Sequence, residues 1–269
     1  MIDEGILKMK PGERMLVMKF GGASVANPHC FHKIAKIIAT RLRAEKQSIV
    51  VVISAMSGVT DQLLSQAMQV HPNPPKRELD MLISVGERVS IALLAMALSL
   101  EGVEALSFTG SQSGIITDEL HADARIVDVR PHRILPTLNE GKVAIVAGFQ
   151  GVSRKGNITT LGRGGSDTSA VSLAAALMAE RVDFYKDVDG IYEEDPKRSP
   201  TAKILGELTY EHAKEIAKGG AKVLHLRSIE LAEKNGIQLR VRSFNSPEVI
   251  GSVVGELGRK ELVRFEDER

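Results

Sequence analysis

The sequence has little of what marks several classes of protein. It has no tryptophan, few aromatic residues (4%) and one cysteine. A single cysteine forms no intrachain disulfide, so a reducing compartment, the cytoplasm, is expected. Lysine and arginine (35) balance aspartate and glutamate (34), which argues against a dedicated nucleic-acid or anionic-membrane surface. No uninterrupted apolar run approaches the roughly 18–20 residues of a membrane span.

Apolar, β-branched runs alternate with helical segments along most of the chain. The predicted strands are 15–20, 48–54, 142–147, 181–186 and 239–243, and the predicted helices are 27–42, 61–69, 77–100, 166–178, 210–218 and 228–235. This alternation predicts an α/β fold with a parallel sheet covered on both faces. Ligands of such sheets bind beyond the carboxyl ends of the strands. The stretch 109–129 lacks clear periodicity and is interpreted as a β-excursion over the site.

Residues 19–24 (KFGGAS) directly follow the first predicted strand. Their two glycines let the backbone approach an oxyanion, and consecutive amides can form an anion-binding concavity. Lys19 adds a full positive charge. A glycine pair after a strand is nevertheless more often only a turn, so this segment alone is weak evidence.

The strongest signal is the segment 159–167 (TTLGRGGSD), which opens an alanine-rich helix. The N-terminus of a helix presents unpaired amides and about half a positive charge, which suits an anion. The spacing matches neither a Walker A loop nor a dinucleotide fingerprint. A simple Ser/Asp cap would explain the helix start but not Arg163 or the glycine density. Asp167 is unfavourable beside a phosphate unless it holds a cation, so Lys19 or Mg²⁺ is its expected partner.

Four further segments have two interpretations each. Residues 54–61 (SAMSGVTD) either bind a ligand through hydroxyl and amide groups or cap a helix. Glu87, in an apolar helix, needs a cation, either Arg88 or a substrate ammonium. The acids of 186–192 (KDVDGIY) form a turn or line a nucleotide site. In 219–225 (GGAKVLH) the histidine is more often a packed or capping residue than a base.

Together and in this order, these segments resemble the aspartate kinases of the amino-acid kinase superfamily. The matching stretches are 19–25 (KFGGASV), 51–64 (VVISAMSGVTDQLL), 86–87 (GE), 146–177, 187–192 (DVDGIY), 195–196 (DP), 220–225 (GAKVLH) and the tail 244–251. The resemblance covers residues 16–254, nearly the whole chain.

The resemblance implies an α/β, three-layer αβα sandwich with an open, mostly parallel sheet of about eight strands. It implies one catalytic domain over 15–269 after a leader, 1–14, with the amino acid held by 15–150 and the nucleotide by 151–255. The implied reaction transfers the γ-phosphate of ATP to the β-carboxylate of L-aspartate, giving 4-phospho-L-aspartate on the diaminopimelate route to lysine, threonine and methionine. Mg²⁺ would be carried by ATP without direct protein ligands. A homodimer is plausible.

The resemblance also implies a role for individual residues. Lys19 would neutralise the phosphoryl group in flight, and Asp167 would orient Lys19. The residues implied to bind aspartate are Ser54, Thr60, Glu87, Arg163 and Ser166, with Glu87 at the ammonium and Arg163 at a carboxylate. The residues implied to contact the nucleotide are Lys19, Gly21, Gly22, Ser24, Gly164, Gly165, Lys186, Asp187, Tyr192, Lys197, Lys222 and Val223. A β-carboxylate, with a pKa of about 3.9, is ionised at neutral pH and needs no general base.

The sequence departs from the family pattern at a few positions. Ala23 replaces the usual threonine and removes a hydroxyl near the phosphates, for which Ser24 or an amide is expected to substitute. Lys197 and Leu226 replace an arginine and a proline. The chain ends about 15 residues after the tail motif, too few for the paired ACT regulatory domains of most aspartate kinases, so ACT-mediated inhibition by lysine or threonine is not expected.

Two rival interpretations remain. The first is a relative that phosphorylates another small carboxylate, carbamate or phosphate acceptor, because a fold does not determine its substrate. The second is a non-catalytic, nucleotide-binding member.

Overall fold

Strands and helices alternate along the chain, as expected from the sequence. The computed structural model describes residues 14–45, 47–194, 196, 199, 201–255 and 263–268. The strands are β1 (Met15–Phe20), β2 (Ser48–Ile53), β3 (Ala105–Phe108), β4 (Ile115–Thr117), β5 (Ile126–Val129), β6 (Val143–Ala147), β7 (Gln150–Ser153), β8 (Ile158–Thr160), β9 (Arg181–Lys186), β10 (Ile191–Tyr192), β11 (Ile204–Leu205), β12 (Glu207–Leu208), β13 (Gln238–Ser243) and β14 (Ile250–Val254). The helices are α1 (His29–Glu45), α2 (Val59–Val70), α3 (Lys76–Ile83), α4 (Val85–Leu100), α5 (Ile134–Asn139), α6 (Gly165–Ala176), α7 (Tyr210–Lys218) and α8 (Leu226–Asn235).

Eight strands form one open sheet in the order β12-β14-β13-β9-β1-β2-β6-β3. All neighbouring pairs are parallel except β13 with β14. The order runs in both directions from the centre: strands of the N-terminal part lie on one side of β1, and β9 with the later strands lies on the other. A crevice is expected at the carboxyl ends of strands where the order reverses in this way.

Alternate side chains of the central strands enter two separate cores. Val17 and Val52 pack with residues of α5, α6 and α8 on one face of the sheet. Leu16 and Met18 pack with residues of α1 and α4 on the other face. Because successive side chains of a strand point to opposite faces, two covered faces require the nearly continuous apolar runs in the sequence. The expected three-layer αβα architecture is confirmed.

A second sheet lies beside the glycine-rich segment. Its order is β5-β4-β7-β8, and β4 and β5 come from the stretch 109–129 that the sequence analysis interpreted as a β-excursion. The last strand of this sheet, β8, runs directly into residues 161–165. The N–H of Ala124 donates to the carbonyl of Thr160 at 2.9 Å. The second sheet thereby holds the segment 159–167, which the sequence analysis selected as the strongest candidate for binding an anion.

The helix predicted over 77–100 is interrupted at Ser84, which separates α3 from α4. The Ser84 hydroxyl donates to the Met81 carbonyl at 3.1 Å, and the Ser84 carbonyl accepts from Gln150 Nε2 at 2.8 Å. Gln150 of β7 therefore donates to a carbonyl that would accept an intrahelical hydrogen bond in a continuous helix. Among the described residues, the stretch Lys76–Leu100 is long and apolar enough to cross a membrane by length and composition. Core helices meet the same test, and half of its most apolar window is buried in the protein.

Candidate active site

A cavity of about 410 Å³ lies at the carboxyl ends of β1, β2 and β6, beside the start of α6. Its lining residues are Lys19, Ser54, Ala55, Thr60, Leu64, Ile83, Glu87, Phe149 and residues 162–167. Five separate segments of the chain therefore meet in one place. Four of them carry a candidate residue that the sequence analysis selected.

Two lysines share one carboxylate at the base of this cavity. Lys19 Nζ lies 2.7 Å from Asp167 Oδ1, and Lys186 Nζ lies 3.1 Å from Asp167 Oδ2. The three side chains are only 6–13% exposed. The expected pairing of Asp167 with Lys19 is present, and Lys186 is a second partner that the sequence analysis placed only at the nucleotide.

The charges of this trio favour an anionic ligand. Burial alone would raise the pKa of Asp167, but the charges of Lys186 and Lys19 and their hydrogen bonds outweigh it and lower the pKa from 3.8 to about 2. Burial lowers the pKa of Lys186, against the opposing effect of Asp167. One ionised carboxylate cannot neutralise two ammonium groups, so excess positive charge faces the cavity.

The start of α6 has the backbone geometry of an anion site. Gly164 precedes the helix with φ +75° and ψ +6°, in the left-handed region that side chains disfavour. A β-carbon on Gly164 would overlap the ring of His225. Neither Ser166 nor Asp167 caps the helix, since both lie inside its first turn. In this turn the N–H groups of Gly165 and Asp167 donate to the carbonyls of Gly162 and Gly164 at 3.1 and 3.0 Å, which leaves fewer N–H groups for an anion than an unbonded first turn would offer.

The first of the two glycines after β1, Gly21, makes room for Lys19. A β-carbon on Gly21 would overlap Lys19 Nζ and would lie 2.7 Å from Ser54 Oγ. Because Gly21 has extended backbone, with φ −172°, close approach rather than conformation explains the glycine. The absence of a side chain here lets Lys19 and Ser54 occupy the same end of the cavity.

Glu87 is a buried carboxylate with one unpaired oxygen. Its Oε1 accepts from the Ala55 N–H at 3.1 Å, whereas its Oε2 is buried without a hydrogen-bond partner. Burial raises the pKa of Glu87 from 4.5 to about 7, against the lowering effects of backbone hydrogen bonds and the charge of Lys19. Among the described residues no cation lies within ion-pair distance of Glu87, so the structural pairing with Arg88 is absent. A ligand cation is the partner that this arrangement lacks.

The remaining residues assigned to aspartate also line the cavity. Thr60 lies in the first turn of α2, which begins at Val59 after Gly58, and so does not cap that helix. Ser54 and Ser166 face the cavity from the end of β2 and from α6. Arg163 is exposed at the rim, and within the described part of the chain no carboxylate is paired with it.

Ser24 does not line the cavity, contrary to the role expected for its hydroxyl. It is fully buried, and its hydroxyl donates to the Tyr185 carbonyl at 3.1 Å. This bond joins the turn after β1 to the end of β9. The hydroxyl that was expected to substitute for the missing threonine is therefore already used in a hydrogen bond within the fold.

Other residues assigned to the nucleotide lie outside the lining of this cavity. Asp187 follows β9, and Tyr192 is in β10. Lys222 is exposed and Val223 half-buried in the segment before α8. Lys197 lies outside the described residues. The nucleotide-binding roles of these five residues stay predictions.

The sequence analysis missed two groups of residues that shape the site. Phe149 lines the cavity and has φ +69°, a strained conformation of the kind that clusters at functional sites. Asp80 is fully buried and accepts from Thr160 Oγ1 at 2.5 Å and from the Ala122 N–H at 3.1 Å. The position of Phe149 just after a buried strand was the available signal. No local pattern predicts the partners of Asp80.

The donor set does not form a protein-built metal site. In the described parts of the chain, no group of three or more histidine, cysteine, aspartate or glutamate side chains could hold a metal ion. The one ionised carboxylate at the base, Asp167, is already taken by two lysines. These residues fit a metal ion that arrives on a phosphate ligand rather than one caged by carboxylates.

The fold and this cavity define an α/β protein with a candidate anion site at the point where the strand order reverses. Residues 14–243 match the sequence profile of the amino acid kinase family. The chain belongs to the amino acid kinase family.

Three relatives narrow the resemblance. An aspartokinase of Corynebacterium glutamicum is 50% identical over 234 residues, which are 86% of this chain and 55% of that protein. The crystal structure of aspartate kinase from Synechocystis is 47% identical with a TM-score of 0.80, covering 93% of this chain and 42% of the other. That of E. coli aspartokinase III in complex with aspartate and ADP (R-state) is 30% identical with a TM-score of 0.80, covering 92% and 66%. The resemblance to aspartate kinases is confirmed, and this chain spans about half the length of such curated relatives.

Proposed function

We propose that this chain transfers the γ-phosphate of ATP to the β-carboxylate of L-aspartate, giving 4-phospho-L-aspartate. That product would be the first intermediate on the route to lysine, threonine and methionine. The relatives described above carry the names aspartokinase and aspartate kinase, and one of their structures holds aspartate and ADP. ATP and aspartate are therefore the substrates that the comparisons favour.

The observation that carries the proposal is the unpaired Oε2 of buried Glu87, in the same cavity as Arg163. An α-amino acid has an ammonium and a carboxylate that both need partners. Glu87 supplies an acceptor for the first, and Arg163 supplies donors for the second. A phosphate or plain carboxylate acceptor would leave Glu87 without a cation, so the rival substrates explain this carboxylate less well.

The base of the cavity supports phosphoryl transfer. The attacking β-carboxylate is already ionised, so the reaction needs no base but must bring one anion to another. Lys19, held by Asp167, would neutralise the phosphoryl group, and the N–H groups at the start of α6 would donate to its oxygens. The β–γ bridging oxygen would keep the electron pair of the broken P–O bond and leave on ADP. Mg²⁺ bound to ATP would neutralise phosphate charge.

The nucleotide is expected to extend from this base towards the half of the sheet that contains β9. We infer the contacts to Asp187, Tyr192, Lys197, Lys222 and Val223 from motif resemblance. The division into an amino-acid half, about 15–150, and a nucleotide half, about 151–255, is supported by the strand order, in which β9, β13, β14 and β12 all lie on one side of β1. A homodimer is part of the proposal by resemblance only.

Trapping with hydroxylamine tests the proposal directly. The chain is incubated with ATP, Mg²⁺ and hydroxylamine, and with aspartate, glutamate or other acceptors in parallel. Aspartate-dependent hydroxamate is the expected result. Hydroxamate with another acceptor and none with aspartate would favour the rival kinase. No ATP consumption with any acceptor, together with tight nucleotide binding, would favour the non-catalytic member.

A further inference from the structure

Arg227, the second residue of α8, uses all five of its N–H donors on neighbouring segments. Nε and Nη2 donate to the two carboxylate oxygens of Glu266 at 2.8 and 3.0 Å. Nη2 also donates to the Ala124 carbonyl at 2.9 Å, and Nη1 donates to the Leu161 carbonyl at 2.6 Å and to Asp123 Oδ1 at 3.3 Å. The guanidinium is a rigid planar fork, so the position of each partner is tied to the positions of the others.

The Leu161 carbonyl lies at the start of the glycine loop, defined here as residues 161–165. The four residues after Leu161 line the cavity, and Arg163 is among them. The beginning of α8 holds this loop at a second point, because the ring of His225 fills the space beside Gly164. A displacement of Arg227 would therefore move the donors that are expected to meet aspartate and phosphate.

Glu266 belongs to a short tail, residues 263–268, that crosses from α8 to β5. The N–H of Glu266 donates to the Ile126 carbonyl at 2.9 Å, and the Ile126 N–H donates back to Glu266 Oε2 at 2.8 Å. Two residues before Glu266, the N–H of Arg264 donates to Asn235 Oδ1, and Asn235 Nδ2 donates to the Arg264 carbonyl, both at 2.8 Å. The side chains of Arg227 and Glu266 are 18% and 12% exposed, so their pairing is sheltered from solvent screening.

We propose that Glu266 is a positioning residue: through Arg227 it fixes the Leu161 carbonyl, and with it the glycine loop that carries Arg163, for phosphoryl transfer. The inference rests on the proposed function. It assigns to the tail a part in the site as well as in stability, although no atom of the tail lines the cavity.

The same tail offers a matched control. Glu268 forms an ion pair with Arg154 at 3.0 Å, and these side chains are 47% and 66% exposed. Glu266→Gln and Glu268→Gln make the same chemical change two residues apart. In Glu266→Gln the new amide N–H₂ must face an N–H donor of Arg227 or Ile126, whereas in Glu268→Gln it faces solvent. A second variant, Arg227→Lys, keeps the charge but cannot fill the five donor positions.

Steady-state kinetics with aspartate and ATP give the first readout. A displaced loop is expected to lower kcat/KM for aspartate by roughly 10- to 100-fold in Glu266→Gln and in Arg227→Lys, with Glu268→Gln within about twofold of the parent chain. If Glu266 acts through Arg227, the double variant should be no worse than Arg227→Lys alone. Multiplicative losses in the double variant, or a lower melting temperature with unchanged kinetics, would overturn the inference.

Hydrogen exchange of the ligand-free protein gives a readout that needs no activity. Amides of the glycine loop are expected to exchange roughly tenfold faster in Glu266→Gln, because a charge-assisted hydrogen bond that orders the loop is weakened. Unchanged exchange in the loop would refute the inference even for a chain that makes no hydroxamate. If the parent chain shows no aspartate-dependent activity but the variants show the expected exchange pattern, the proposed function is refuted and the coupling of tail and loop is supported.

Discussion

Replacing Glu87 by glutamine should make the ligand-free protein more stable at alkaline pH, although it removes a residue of the site. Burial raises the pKa of Glu87 from 4.5 to about 7. Below pH 4.5 the group is protonated in the folded and the unfolded state, and no stability is lost. Between pH 4.5 and about 7 the unfolded state releases the proton first, so stability falls as the pH rises. The full loss is about 3 kcal/mol, since one pKa unit corresponds to about 1.4 kcal/mol.

Glutamine carries no titratable group but can still accept the hydrogen bond from the Ala55 N–H. The free energy of unfolding of Glu87→Gln should therefore exceed that of the parent chain by up to about 3 kcal/mol at pH 8 and by less than about 1 kcal/mol at pH 5. Urea unfolding at several pH values measures this difference. Glu78→Gln is the matched control, because Glu78 lies in the preceding helix, is 59% exposed and pairs with Arg77.

The same substitution should weaken aspartate binding. An ammonium beside Glu87 favours its ionised form, so the parent chain is expected to release a proton when aspartate binds near pH 7, and the variant is not. Calorimetry in buffers of different ionisation enthalpy measures the released protons. A stability difference that is the same at pH 5 and pH 8 would refute the raised pKa. Equal aspartate affinity in both proteins would refute the role of Glu87 at the ammonium.

Three further substitutions test the base of the cavity. Lys19→Ala should lower kcat by about 100- to 1000-fold, as expected when a donor to the reacting group is removed, and full activity would refute the mechanism. Asp167→Asn should lower the free energy of unfolding in urea by about 3–5 kcal/mol, because it leaves two buried ammonium groups without a counter-charge. The stability that Asp167 contributes is present above pH 3.8 and is lost as the pH falls through about 2. The cost of the substitution should therefore not vary between pH 5 and 8. Gly164→Ala should lower the melting temperature more than Gly22→Ala. Both glycines have positive φ, but only at Gly164 would a β-carbon overlap the ring of His225. Equal losses of melting temperature would contradict the close approach of His225 to Gly164.

The sequence predicted the elements that build the site because their signals are local. Apolar runs of strand length and a 3.6-residue helical period depend on neighbours along the chain. The predicted strand and helix bounds lie within three residues of those observed, apart from the break at Ser84. Glycine-rich segments after parallel strands meet at one edge of the sheet by topology alone, so the segments of Lys19 and Arg163 could be placed together from the strand pattern. Glu87, inside a helix, was selected because a carboxylate among apolar residues needs a cation, and its assignment to the ammonium came from the family resemblance.

What the sequence could not predict depends on partners that are distant in the chain. The hydroxyl of Ser24 faces the Tyr185 carbonyl, 161 positions away, rather than the cavity. The carbonyl of Ser84 is taken by Gln150 from the second sheet. Arg227 had no local signal at all, since its five donors reach three separate segments only after the second sheet and the tail have folded around α8.

The two carboxylates of the cavity show most clearly why composition does not determine chemistry. Asp167 and Glu87 are both buried, and burial alone would raise the pKa of each. At Asp167 two lysines within 3.1 Å reverse the effect and keep the group ionised, whereas at Glu87 backbone N–H groups and the charge of Lys19 reduce it only in part. Opposite shifts of this kind separate the roles of two chemically similar acids. Asp167 stays ionised as the counter-charge of Lys19 and Lys186, the lysines proposed to meet phosphate. Glu87, with a pKa raised to about 7, exchanges its proton near neutral pH, and the proposed substrate ammonium would favour its ionised form.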